Sequence, residues 1–132
     1  MRYVGIDYGA RRIGVAQSDE GGAMAFPLRT IEYRTRENAI DEIRKICDTE
    51  IGALVVGLPI GLDGKDTDET REMRGFATEL AQSIALPIYF ENEIFTSRMA
   101  YGAGMRGNAI DASSAAIILQ SYLDKIPMSK SK

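Results

Sequence analysis

The sequence predicts an α/β domain: a mixed five-stranded sheet, an antiparallel meander followed by parallel strands, with helices over its faces. Three observations carry this. Residues 2–31 read as short strands separated by turn signals, residues 53–58 form a continuous apolar run, and amphipathic helical patterns stand before and after that run. Strands joined by short turns pair antiparallel, whereas strands joined through helices lie parallel in one sheet.

The elements follow in chain order. Residues 2–8 alternate and are rich in β-formers, residues 13–18 follow the turn Gly9-Ala-Arg-Arg, and Asp19-Glu-Gly-Gly turns the chain into a third strand over 23–31. Thr35 is positioned to cap a helix over 36–49, whose residues Ala39, Ile40, Ile43, Ile46 and Cys47 share one apolar face. The run Ala53-Leu-Val-Val-Gly-Leu is apolar throughout, as a central strand buried on both faces requires, and Pro59 ends it. After a loop over 59–66, Asp68 and Glu69 suit the positive end of a second helix, with Met73, Phe76, Ala77, Leu80, Ala81 and Ile84 as its apolar stripe. Residues 87–91 return as a strand, 95–104 are a short helix or irregular, and 110–124 form the last helix.

With 132 residues, 45% hydrophobic and 27% charged, the chain has the composition of one compact domain over 1–126, with a frayed tail at 127–132. Cys47 is the single cysteine, so no intramolecular disulfide forms, and a reducing cytoplasm is the expected location. No apolar run reaches membrane-spanning length, and the N-terminus enters a strand without a signal-peptide pattern. Net charge −3 and a pI of about 5.0 argue against a protein that coats nucleic acid by bulk attraction to phosphate. The same balance is compatible with carboxylates gathered around metal ions. The absence of histidine removes imidazole bases, imidazole ligands and every Ser/His or Cys/His nucleophile.

Asp7 follows Val4 and Ile6 in the first strand, where a charge is costly unless paired or bound to metal. Two readings stand: a turn-former bonded to the amides of Gly9 and Ala10, or a ligand for which Gly5 and Gly9 leave room. Asp111 opens the last helix, either as its N-cap or, because it shares a face with Ala115, Ile118 and Tyr122, turned toward the sheet. Glu93 lies just past the strand holding Ile88 and Phe90, at the carboxyl end where α/β sheets place ligands, or is a solvated loop charge. Converging, three such carboxylates would hold one or two Mg²⁺ or Mn²⁺ ions, hard cations that prefer oxygen ligands. Two ions of this kind support in-line displacement at a phosphodiester without histidine. Arg11 and Arg12, with Arg29, Tyr33, Arg34 and Arg36, form either a track for a phosphate backbone or a solvated face.

Four strings then become recognisable together: Gly5-Ile-Asp-Tyr-Gly-Ala-Arg-Arg-Ile-Gly-Val-Ala, Val56-Gly-Leu-Pro with Asp63-Gly, Phe95-Thr-Ser, and Ile110-Asp-Ala-Ser-Ser-Ala-Ala-Ile-Ile-Leu-Gln-Ser-Tyr-Leu. The chain resembles, over nearly its whole length, the YqgF/RuvX family of candidate Holliday junction resolvases and pre-16S rRNA nucleases. The resemblance implies an RNase H-like fold, and it places the family's three acidic positions on Asp7, Glu93 and Asp111. It also implies a substrate of structured RNA or branched DNA, the best-supported job being maturation of the 5′ end of 16S rRNA, in contact with pre-ribosomal particles. Arg11, Arg12, Thr96 and Arg98 are the nucleic-acid-binding candidates. One segment departs from the family pattern: where Asp-Glu-Arg is usual, this chain has Asn92-Glu-Ile, so a charge and a phosphate-binding guanidinium are replaced, and Glu91 or Arg98 are the residues placed to compensate.

Two other functions compete with nuclease activity. The string Asp7-Tyr-Gly-Ala-Arg-Arg-Ile-Gly also resembles the first phosphate loop of actin-like ATPases and sugar kinases, folds that need two such domains and several hundred residues. The altered Asn92 to Ile94 segment motivates the other, a non-catalytic RNA-binding assembly factor. A symmetric junction would favour a two-fold dimer and a single RNA cut a monomer; monomer is the expectation.

Overall fold

The computed structural model describes residues 1–9, 11–47, 50–58, 68–92 and 108–126. Strands β1 (Arg2–Tyr8), β2 (Arg12–Ser18) and β3 (Ala25–Glu32) precede helix α1 (Arg36–Ile46). Strand β4 (Ile51–Leu58), helix α2 (Asp68–Ser83), strand β5 (Ile88–Asn92) and helix α3 (Asn108–Lys125) complete the order. The sheet runs β3-β2-β1-β4-β5, antiparallel between β3, β2 and β1 and parallel from β1 through β4 to β5. This is the mixed five-stranded sheet that the alternation of turns and helices predicts.

Boundaries moved where side chains settle the turns. The third strand starts at Ala25, not residue 23, because Asp19 Oδ1 accepts from the amides of Ala23 and Met24 at 2.8 and 3.1 Å and holds both in the turn. Those two bonds hold the Asp19 carboxyl below its ordinary range. Thr35 caps α1 as its sequence position suggests, its hydroxyl accepting from the Asn38 amide at 3.0 Å.

Two apolar layers enclose the sheet. On one face Val4, Ile6, Ile13, Val15, Leu54 and Val56 meet α1 and α2 through Ile40, Ile43, Phe76 and Leu80, with Cys47 packed against them. Ala81, placed by spacing on the α2 stripe, is exposed instead, while Met73, Phe76, Ala77, Leu80 and Ile84 are buried. The stripe is therefore narrower than the apolar spacing suggests. On the other face Ala16 and Val55 meet α3 through Ala115, Ile118, Leu119 and Leu123.

Gly5 sets how closely α3 approaches β1. A Cβ at this position would stand 2.8 Å from Leu119 Cβ and 3.0 Å from the Ala115 carbonyl oxygen, so only a hydrogen fits. Gly5→Val is expected to push α3 off the sheet and to cost about 1–3 kcal/mol of stability, measured as a lower denaturation midpoint.

Candidate metal and phosphate site

Alternation along β1 decides which way Asp7 faces. Val4 and Ile6 belong to the layer under α1 and α2, whereas Tyr3 packs with the α3 layer, so Tyr3, Gly5 and Asp7 share the α3 side. Asp7 pairs in register with Gly14 of β2, one residue before β1 ends, and is partly buried. Its backbone is thus part of the strand, and Ala10, whose amide the turn-former reading also invokes, lies outside the described residues. The Gly9 amide, which the turn-former reading would aim at Asp7, donates to the Arg12 carbonyl at 2.9 Å and closes the β1–β2 turn.

The direction of α3 brings a second carboxylate position to the same end. The Tyr3 ring meets Tyr122, 6.1 Å between centroids, while Gly5 lies against Leu119 and Ala115. Moving toward the carboxyl end of β1 therefore means moving toward the amino end of α3. Asp111 stands one helical turn before Ala115, on the helical row that Ala115, Ile118 and Tyr122 share, and so lies at the same end of the sheet as Asp7. Because α3 begins at Asn108, Asp111 sits inside the first turn and is not the N-cap. Strand β5, parallel to β1 and β4, ends at Asn92; Glu93 follows in sequence and, with Ile94, Thr96 and Arg98, lies outside the described residues.

The donor chemistry on this side is oxygen. The chain has no histidine, and Cys47, its single thiol, packs in the layer across the sheet. Carboxylates without soft ligands suit a hard divalent cation, which fits Mg²⁺ or Mn²⁺. Among the described residues no three acidic or thiol side chains converge, since two of the three candidate ligands contribute no described side chain.

Glu91 does not supply the missing charge of the Asn92 segment. Its carboxylate is 6% exposed and accepts from Ser121 Oγ at 2.5 Å and from Lys125 Nζ at 2.7 and 2.9 Å, fastening β5 to α3. The i,i+4 spacing of Ser121 and Lys125 on α3 is the sequence signal for that clamp.

The basic residues divide into two groups. Arg29 pairs with Glu42 of α1 at 3.3 Å, and Arg36 bridges Glu72 at 2.8 Å and Glu79, so both are engaged with helices. The Arg36 guanidinium draws the Glu72 carboxyl below its ordinary range, chiefly through their hydrogen bond, and is itself held further protonated. Arg11, Arg12 and Arg34 line a cleft of about 1120 Å³ together with Glu32, Tyr33 and Asn38. Tyr33 braces its wall: its hydroxyl donates to the Gly9 carbonyl at 2.5 Å, and its ring stacks on Tyr8 with centroids 5.7 Å apart. Burial, followed by its interaction with Tyr8, raises the Tyr33 phenol well above its usual range, which keeps the donor proton in place. Glu32 and Asn38 are lining residues that sequence reasoning missed; the Thr35-Arg-Glu-Asn capping pattern is the signal that brings Asn38 to this corner.

Comparison with known proteins bears on the family and the fold. The model of the family described as RuvX, Holliday junction resolvase, matches residues 1–125. A relative from Nitratidesulfovibrio vulgaris (strain Miyazaki F), named as a candidate pre-16S rRNA nuclease, is 44% identical over 94% of each chain. Another of that name from Orientia tsutsugamushi is 39% identical, covering 97% of this chain and 87% of the relative. Among solved structures, Thermus thermophilus RuvC superposes with a TM-score of 0.55 at 15% identity, covering 93% of this chain and 94% of that one. RuvC bound to a Holliday junction substrate gives 0.54 at 15% identity, over 93% of each chain. The RNase H-like fold is therefore common to both.

Proposed function

The chain belongs to the RuvX family, and we propose on that basis that it is a divalent-metal-dependent endonuclease that hydrolyses a phosphodiester bond in maturing the 5′ end of pre-16S rRNA. What supports the chemistry is that β1 brings Asp7 to its carboxyl end on the face that α3 covers, and that α3, with Asp111 in its first turn, begins at that same end of the sheet. Asp7, Glu93 and Asp111 would hold one or two Mg²⁺ or Mn²⁺ ions. When bound, such ions would supply Lewis-acid stabilisation of the charge on the attacking and leaving oxygens of a phosphodiester hydrolysis. Arg11 and Arg12, in the turn that follows Asp7, and Thr96 and Arg98 hold the phosphate backbone, and Gly5 sets the spacing of β1 from the helix that carries Asp111. This reading places the protein in the cytoplasm, acting as a monomer on pre-ribosomal RNA or particles, and the described residues include no helix long and apolar enough to cross a membrane.

A second reading has its own support, since the family description names a Holliday junction resolvase and the fold is shared with RuvC. Branched DNA is then the substrate. Incubation of pre-16S rRNA and a synthetic four-way junction, each with Mg²⁺ or Mn²⁺, separates the two. We expect a discrete cut on the 5′ side of the rRNA; a cut junction with intact rRNA would favour the second reading, and no product from either would sink both.

A further inference from the structure

We infer that the cleft lined by Arg11, Arg12 and Arg34, which opens at the carboxyl end of β1, is a phosphate site that seats the backbone of the substrate strand beside the bond that is cut. Three arginines against the single acid Glu32 give this cleft a local balance of 3 − 1 = +2, in a chain whose net charge is −3. A positive balance on a concave surface favours a polyanion. Guanidinium groups match phosphate oxygens in a bidentate fork, which favours phosphodiesters over a point charge.

The frame of the cleft is fixed by main-chain bonds and by the Asn38 side chain, not by guanidinium groups. Tyr33 N donates to the Arg11 carbonyl at 3.3 Å, the Gly9 amide to the Arg12 carbonyl at 2.9 Å, and Arg34 N to Asn38 Oδ1 at 3.3 Å. The turn between β1 and β2 is thereby tied to the β3–α1 junction, with Arg11 and Arg34 exposed on the two sides. Asp7 lies two residues before Gly9, about 7 Å at strand rise. A strand with its scissile phosphate at Asp7 therefore reaches the arginines within a few nucleotides. Arg34, which follows β3 and is remote from Asp7 in sequence, is the member of the basic track at the β3–α1 junction that shares the cleft with Arg11 and Arg12. Arg29 and Arg36, its basic neighbours, are engaged with Glu42 and with Glu72 and Glu79 and lie outside the cleft.

The identity of the polynucleotide rests on the nuclease reading; the cleft itself is tested by binding alone. The probe is a fluorescein-labelled single-stranded RNA, titrated without divalent ions on the Asp7→Asn chain, with log Kd followed against log salt. Removing Arg11 or Arg34 as Ala is expected to reduce the salt slope by about 0.7 each, the value for one phosphate contact on a single strand. Arg34→Lys, which keeps the charge, retains the slope and shows that loss in Arg34→Ala is not misfolding. Arg44→Ala, on α1 and paired with Asp41 at 2.6 Å, serves as the basic control outside the cleft. Unchanged slopes in both Arg11→Ala and Arg34→Ala, or no RNA binding by the Asp7→Asn chain, overturn the inference. A chain that binds with the expected slopes but cuts no substrate in its parent form sinks the nuclease reading and leaves the cleft standing. A cutting parent with unchanged slopes does the reverse.

Discussion

Asp7→Asn lowers the rate of phosphodiester cleavage by about 10³-fold or more, with the far-ultraviolet circular dichroism unchanged. The substitution keeps one carbonyl oxygen at the end of β1 but removes the charge that would hold a divalent cation. Lewis-acid stabilisation contributes several kcal/mol to such a transition state, and each 1.36 kcal/mol is about tenfold in rate. The fold should survive, because Asp7 lies beside Gly14 at the edge of the ladder and the core on its face is built from Ala16, Val55, Ile118 and Leu119. Multiple-turnover cleavage of pre-16S rRNA with Mn²⁺ measures the effect. An Asn variant that cuts as fast as the parent would show that Asp7 is not a ligand.

Phe76→Ala destabilises the protein by about 3–5 kcal/mol, the usual cost of deleting a buried aromatic ring. Phe76 is 0% exposed, and its ring stacks on Tyr8 with centroids 4.1 Å apart and planes 16° from parallel. Tyr8 stacks in turn on Tyr33, so three rings run from α2 through the end of β1 to the wall of the arginine cleft. The loss is measured by urea denaturation as a lower midpoint at constant slope. Because Tyr8 directly follows Asp7, the same variant should lose activity at temperatures where it is still folded. Full activity with only the stability loss would separate the ring stack from the site.

Much of this fold was legible because its elements differ in hydrophobic period. The apolar run at 53–58 has the pattern expected of a central strand, and β4 is buried on both faces. Thr35 announced α1, and the turn residues Gly9 and Asp19 announced two antiparallel connections. Spacing was a weaker guide where neighbours decide exposure. Ala81 fits the α2 stripe by period yet is exposed, and Asp111, which looked like a cap, lies within the first turn of a helix that starts at Asn108.

The site was legible in part, for a related reason. The strand register that puts Asp7 on the α3 face follows from alternation, but the approach of α3 depends on Gly5 meeting Leu119, a contact between residues far apart in sequence. Charge is the least legible feature. Arg29, Arg34 and Arg36 are equivalent in sequence, yet Glu42, Glu72 and Glu79 engage two of them and the cleft contains the third. Glu91, equally, reads as a spare acid until Ser121 and Lys125 are seen to hold it.

Direct titration of Mn²⁺ into the parent and Asp7→Asn chains, followed by electron paramagnetic resonance of the free ion, addresses the role of Asp7 without any substrate. We expect the parent to bind one or two ions and the variant to bind at least tenfold more weakly, since a lost charged ligand in a small oxygen-only site is not replaced. Equal affinity in the two chains would contradict a metal centre built on Asp7.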